Sequence, residues 1–175
     1  MAQAPLSLKA RAIGLLAQRE HSRSELRRKL LRIEQLRARR QPMAPGDGAG
    51  ARPEAAESAA GYDAEAAAAM VDALLDGLAA DGYLDETRFV ESRLHLRARR
   101  FGAQRIQQEL AQHGLKLDAE QQAALRSTEL DRAREVWTKR FGAEPARDAV
   151  ERARQTRFLL ARGFAPEVVH RLLRA

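Results

Sequence analysis

Two clusters of cationic side chains have the types and spacing to do chemistry, and that chemistry is anion contact. The first runs Arg23, Arg27, Arg28, Lys29 and Arg32, beginning within "REHSRSELRRKL". Arg23 and Arg27 are four residues apart, as are Arg28 and Arg32, so on a helix each pair projects in neighbouring directions. The second cluster gathers Arg93, Arg97, Arg99, Arg100 and Arg105. A solvated helix face intersperses both signs of charge, whereas acidic residues are scarce beside these arginines, which favours a binding surface. Arg19, Arg99 and Arg162 recur at the ends of helical segments. They fit either of two roles: an anion-contacting position, or a cation suited to a helix C-terminal dipole, typically worth ~0.3–1 kcal/mol.

Other chemistries find little footing. The chain has no cysteine, which excludes disulfides, thiolate metal sites and cysteine nucleophiles. His21, His95, His113 and His170 share no ligand spacing, so no metal is expected. There is no phosphate-binding glycine loop and no Ser/His/Asp arrangement with a recognisable elbow, so neither a cofactor nor a catalytic role is expected. Trp137, beside Val136 and Phe141, reads as core. Asp72, Asp76, Asp81, Asp85 and Glu86 read as solvated positions and caps, with internal pairing to the basic faces as the other reading. The formal net charge of +7 over 175 residues is carried mostly by arginine. It points to an anionic partner, nucleic acid or an acidic protein surface; the competing explanation is a coding bias towards Arg and Ala. No apolar run approaches the ~18 residues of a membrane span, and the N-terminus lacks a signal-peptide core, so a soluble cytoplasmic protein is expected.

The elements that must position these residues are helical. Only 5% of residues are aromatic and much of the apolar content is alanine, which favours helices packed through small side chains. Leu8, Ala12, Leu15 and Leu16 fall at helical spacing, as do Leu26, Leu30 and Ile33. The segment from about Gln41 to Tyr62 is rich in Pro, Gly and Ala, with almost no large apolar side chain, and is expected to be a flexible loop interrupting one domain. Met70, Val71, Leu74, Leu75 and Leu78 then form one stripe, with Gly82 placed as a left-handed cap beyond its end. No stretch alternates at period two. The chain reads as all-α, with eight or nine short helices.

An internal repeat accounts for part of the arginine pattern. With His21, Phe101 and Phe164 in register, a leucine lies five before each (Leu16, Leu96, Leu159) and an arginine two before (Arg19, Arg99, Arg162). A small residue lies one after (Ser22, Gly102, Ala165). Apolar residues follow five after (Leu26, Ile106, Val169) and nine after (Leu30, Leu110, Leu173). The small residue is a helix N-cap, with Pro166 at the first helical position of the third copy. Ser22 and Glu25 have the S-x-x-E spacing of a capping box, and the residue before each cap stands at staple distance from the fourth helical residue. A fourth staple is expected between Leu84 and Phe89, with Asp85 as cap. Each copy therefore encodes a helix, a tight corner and a second helix crossing it. Arg23, Arg27, Arg28 and Lys29 lie outside the repeated columns.

The phrase "DGYLDETRFVESRLHLRARRFGAQRIQQEL" resembles the signature of the RecX family, regulators of the bacterial recombinase RecA. "REHSRSELRRKL" is similar to that family's first-repeat corner and "RQTRFLLARGFAPEVVHRLL" to its closing segment. The match spans most of residues 7–40 and 64–175, and Gly82, Tyr83, Leu84, Asp85, Arg88 and Phe89 are its signature structural positions. The resemblance implies tandem three-helix repeats forming an elongated, curved molecule. The expected divisions are 1–82, interrupted at about 41–62, then 83–127 and 128–175. It also implies a monomer that binds the RecA–DNA filament and inhibits recombinase, ATPase and co-protease activities by limiting filament growth or destabilising it. DNA, single- or double-stranded, is a further expected partner. The competing readings are an autonomous basic helix-turn-helix-like nucleic-acid-binding protein and a helical scaffold with no nucleic-acid role.

Overall fold

The structure is a computed structural model that describes residues 6–40, 63–142 and 148–174. The loop expected at about 41–62 lies outside the described residues. Among those described the chain forms helices and no strand, as expected for an all-α chain. The helices are α1 (Leu8–Leu16), α2 (Arg23–Arg40), α3 (Ala64–Ala80), α4 (Glu86–Ala98), α5 (Ala103–Ala111), α6 (Ala119–Ser127), α7 (Glu129–Phe141), α8 (Ala149–Ala161) and α9 (Pro166–Arg174). The backbone divides into two compact units, Met1–Glu86 and Thr87–Ala175.

In the first unit Ala12 of α1, Leu26 and Leu30 of α2, and Val71, Leu75 and Leu78 of α3 form the core, joined by Leu84. The positions 71, 75 and 78 follow helical period, so one face of α3 meets the four-apart leucines of α2. Met70 is 49% exposed and lies outside the stripe assigned to it, because it sits a quarter turn from Val71 on the solvent side. Burying a leucine fully is worth about 1.5–3 kcal/mol, more than a surface ion pair, so Leu26 and Leu30 hold α2 in place. Asp63 caps α3, its carboxylate accepting from the Glu65 and Ala66 N–H groups at 2.9 Å each. The other end closes as a Schellman motif: the Tyr83 N–H donates to the Leu78 carbonyl at 2.9 Å and the Gly82 N–H to Ala79 at 3.0 Å. That geometry places Gly82 at φ 76°, the left-handed region glycine enters without steric cost.

The second unit has two apolar clusters. Phe89, Val90, Ala103, Ile106, Leu110, Leu117 and Leu125 form one, and Ala133, Trp137, Leu159, Phe164, Val169 and Leu172 the other. Trp137 is core as expected, its indole N–H donating to Gln155 Oε1 at 2.9 Å. The repeated column Leu26, Ile106 and Val169 is buried throughout. Two other columns are not equivalent across copies. Leu159 is fully buried but Leu96 is 62% exposed, because α4 turns Phe89, Val90, Leu94 and Ala98 inward and position 96 lies on the opposite side. At the chain end Leu172 is buried and Leu173 only partly so. The Leu84–Phe89 staple is likewise divided, with Leu84 in the first unit's core and Phe89 in the second's.

The corners at Gly102 and Gly163 lie against each other. The Gly102 N–H donates to the Arg162 carbonyl at 2.9 Å and the Gln104 N–H to the Gly163 carbonyl at 3.2 Å. A Cβ at position 102 would lie 2.1 Å from the Gly163 carbonyl oxygen, so only glycine permits this approach. The buried Glu129 carboxylate ties the same corners: its Oε1 accepts from the Ala103 N–H at 3.0 Å and the Ala165 N–H at 3.3 Å. It thereby satisfies orphan donors at the starts of α5 and α9, where negative charge is favoured. Arg132 serves the opposite polarity, donating to the carbonyls of Ala98 at 3.0 Å, Phe101 at 2.8 Å and Leu125 at 2.6 Å.

Candidate functional site

The first basic surface is built on α2. Ser22 caps the helix, its hydroxyl accepting from the Glu25 N–H at 3.1 Å. The Glu25 carboxylate faces three basic side chains: Arg19 grips both oxygens, Lys29 lies at 3.4 Å and His21 Nδ1 at 3.3 Å. Burial alone would raise the Glu25 carboxyl. The Arg19 hydrogen bonds and the charges of His21, Arg19 and Lys29 overcome it and bring the pKa down to about 2. His21 is 1% exposed, and burial, then the charge of Arg19, hold it below its ordinary value. Arg19 and Lys29 are therefore engaged within the corner.

The sequence places few acids beside the α2 arginines, but α3 supplies them from far along the chain, Asp72 lying 45 residues from Arg27. Arg27 meets Asp72 in a two-pronged pair at 2.7 and 2.9 Å, and Arg23 meets Asp76 at 2.8 Å. The pairing raises the Arg27 pKa and lowers that of Asp72. The Asp72 and Asp76 carboxylates thus complement the basic face internally, the second of the two readings, while Asp76 also stays solvated at 71% exposure. Arg28 and Arg32 are exposed, Arg28 reaching back to the Ser24 carbonyl at 3.4 Å.

The second basic surface lies wholly within the second unit and separates the predicted arginines into two sets. Arg97 and Arg105 share the Glu109 carboxylate, at 2.9 and 3.8 Å, and Arg97 also lies over the Phe101 ring. Arg99, Arg100 and Arg162 instead line an open groove of about 500 Å³, together with His95, Leu96, Val136, Lys139, Arg140 and Phe158. Among the described residues no carboxylate lines it. The Arg162 guanidinium sits 3.7 Å from the Phe158 ring centroid, a close cation–π stack. Burial, then the charges of Arg100 and Arg140, press its pKa below the ordinary arginine value. Lys139 and Arg140 escaped the sequence reading, although a signal was present: "RRFG" at Arg99–Gly102 recurs as "KRFG" at Lys139–Gly142.

The signature positions have mixed placements. Leu84 and Phe89 are buried, Tyr83 is 48% exposed, and Arg88 is exposed. Among the described residues no group of three or more His, Asp or Glu is placed to hold a metal ion, and no helix is long and apolar enough to cross a membrane.

Helix–corner–helix units carrying arginine surfaces define a basic all-α helical protein. The sequence models of the second and third three-helix domains of RecX match residues 85–123 and 127–173. The regulatory protein RecX of Leptothrix cholodnii is 47% identical over 171 residues, 97% of this chain and 88% of its own length. That of Ralstonia pickettii is 46% identical over 97% of this chain and 87% of its own length. That of Herminiimonas arsenicoxydans is 42% identical over 100% and 96%. The chain belongs to the RecX family.

Proposed function

We propose that this protein regulates RecA without enzymatic activity of its own. It binds the RecA–DNA filament and inhibits recombinase, ATPase and co-protease functions by limiting filament growth or destabilising it. In this reading the chain acts as a monomer of three three-helix repeats, 1–82, 83–127 and 128–175. Its contacts are the exposed arginines of α2 (Arg28 and Arg32) and the second unit's groove (Arg99, Arg100 and Arg162). Arg19, Arg23, Arg27, Lys29, Arg97 and Arg105 form their flanks and exchange internal carboxylates for external ones. The observation that carries the reading is the groove of the second unit, where five cationic side chains converge with no carboxylate among the described lining residues. Family membership, and the relatives' naming as regulatory proteins, supply the kind of partner.

The test is a titration of RecA's DNA-dependent ATPase. Substoichiometric protein is expected to suppress hydrolysis with DNA in excess. Suppression that disappears once DNA is saturating would mean simple competition for DNA and would remove the filament model. Affinity for DNA alone is expected to be modest and to fall steeply with salt, as counterion release requires.

A further inference from the structure

The C-terminal ends of α4, α7 and α8 bring Arg99, Arg100, Lys139, Arg140 and Arg162 to one groove. Helix C-termini favour cations, and this explains part of the cluster. Each terminus, however, carries only about half an elementary charge. Three of them leave more than three positive charges without a counterpart, and the α4 end is already served by Arg132. Among the described residues none of the five makes an ion pair, and burial first, then the neighbouring charges of Arg100 and Arg140, lower the pKa of Arg162.

The rest of the lining indicates what kind of anion fits. Leu96 is 62% exposed, and it and Val136 give the groove an aliphatic wall. A nucleic-acid strand held without base readout needs open aromatic faces for stacking. Of the two aromatic rings among the described lining residues, Phe158 already carries the Arg162 guanidinium and meets Phe141 edge-on at 5.0 Å, which leaves His95 as a single stacking face where a strand needs several. The first unit gives an internal example of what an arginine pair in this chain accepts. There Arg23 and Arg27 meet Asp76 and Asp72, four residues apart on a helix whose Val71 and Leu75 pack into the core.

We propose that the groove of the second unit binds an acidic segment of a partner protein that carries a bulky aliphatic side chain. Its carboxylates meet the guanidinium groups, which favour planar two-oxygen anions, and its aliphatic residue lies against Leu96 and Val136. The proposal rests on reading this groove as a partner-contact surface.

Fluorescence anisotropy with the full chain tests it, using three labelled probes. These are an acidic dodecapeptide of Asp and Glu with two leucines four apart, the same peptide with serines for the leucines, and an oligothymidylate of matching net charge. The leucine peptide is expected to bind about tenfold more tightly than the serine peptide, the scale of one apolar anchor. That advantage should vanish in Leu96→Ser. Binding should fall about tenfold or more in the double variant R99E/K139E. R126E/R152E makes the same change in net charge at exposed positions outside the groove, and should bind within about twofold of wild type. Circular dichroism checks that each variant keeps its helicity, and the single variant K139E stands in where the double does not. Equal binding of the two peptides overturns the proposal, as does tighter binding of oligothymidylate that R99E/K139E abolishes. Suppression of RecA ATPase by the wild-type chain is measured separately. Persisting suppression with no peptide binding discards this proposal and leaves the regulator reading intact. Peptide binding without suppression does the reverse.

Discussion

A carboxylate buried to 3% exposure and bonded to two backbone N–H groups, as Glu129 is, cannot be removed without leaving those donors unmet. Each unsatisfied buried group costs about 1–3 kcal/mol, so Glu129→Ala should lower stability by about 2–4 kcal/mol in urea titrations. Glu129→Gln keeps an acceptor oxygen and loses only the charge, and should cost about half as much. An alanine variant as stable as wild type would refute the double-cap role. His21 offers a second experiment at this scale, because the other copies of its column hold Phe101 and Phe164. Its pKa in the folded state is depressed, first by burial. Between the folded and unfolded pKa values the unfolded chain binds more protons, so this group's stabilisation is complete above about pH 6.5 and is lost as pH falls. His21→Phe should flatten that onset while leaving the later acid loss at Glu25, whose contribution is complete above about pH 4.5 and is lost as the pH falls from there towards its folded pKa of about 2. Denaturant midpoints measured across pH 7 to 3 separate the two. An unchanged profile in the phenylalanine variant would mean His21 is charged in the fold.

At the scale of elements, α2 and α3 show how an anion-contacting face can also be an internal one. The pairs Arg27–Asp72 and Arg23–Asp76 are at least a third exposed and screened by water, so each should contribute little to stability. Asp72→Asn with Asp76→Asn should therefore leave the melting temperature nearly unchanged. The same change releases two guanidinium groups for an outside anion. Binding of a labelled oligonucleotide should tighten, and its log–log salt slope should steepen by about one to two. Identical slopes for wild type and double variant would show that these arginines contact no external anion. The helices themselves were largely legible in the sequence: Ser22, Gly102 and Ala165 mark starts, Gly82 marks an end, and Leu26, Ile106 and Val169 mark buried faces. What escaped were relations that no local period encodes. Position 96 matches Leu159 in register, yet register does not tell which way a helix is rolled, and α4 buries Phe89 and Val90 instead. Asp72 meets Arg27 across 45 residues, and Glu129 meets Ala103 and Ala165 across 26 and 36. The groove was half legible, through Arg99, Arg100 and Arg162, while Lys139 and Arg140 join it only because the α7 terminus arrives beside them.

For the molecule as a whole, the two compact units differ in how they manage charge and in how they hold together. The first neutralises much of its arginine surface with its own aspartates, whereas the second keeps a cationic groove open. The second also contains everything its core requires: two apolar clusters, the paired glycine corners, the Glu129 carboxylate beneath them and the Arg132 fork on three carbonyls. Domains of about 55–65 residues can fold alone, and the segment Asp85–Ala175 exceeds that length. Expressed by itself, it should be helical and unfold in urea in one cooperative transition with a slope of about 1 kcal/mol per molar, as its size implies. Introducing Glu129→Ala into the segment should shift the midpoint by as much as in the full chain, since both N–H groups it satisfies lie inside the segment. A segment that is unfolded, or that melts without cooperativity, would mean that the buried residues counted here do not suffice. The folding of the second unit would then have to draw on residues before Asp85.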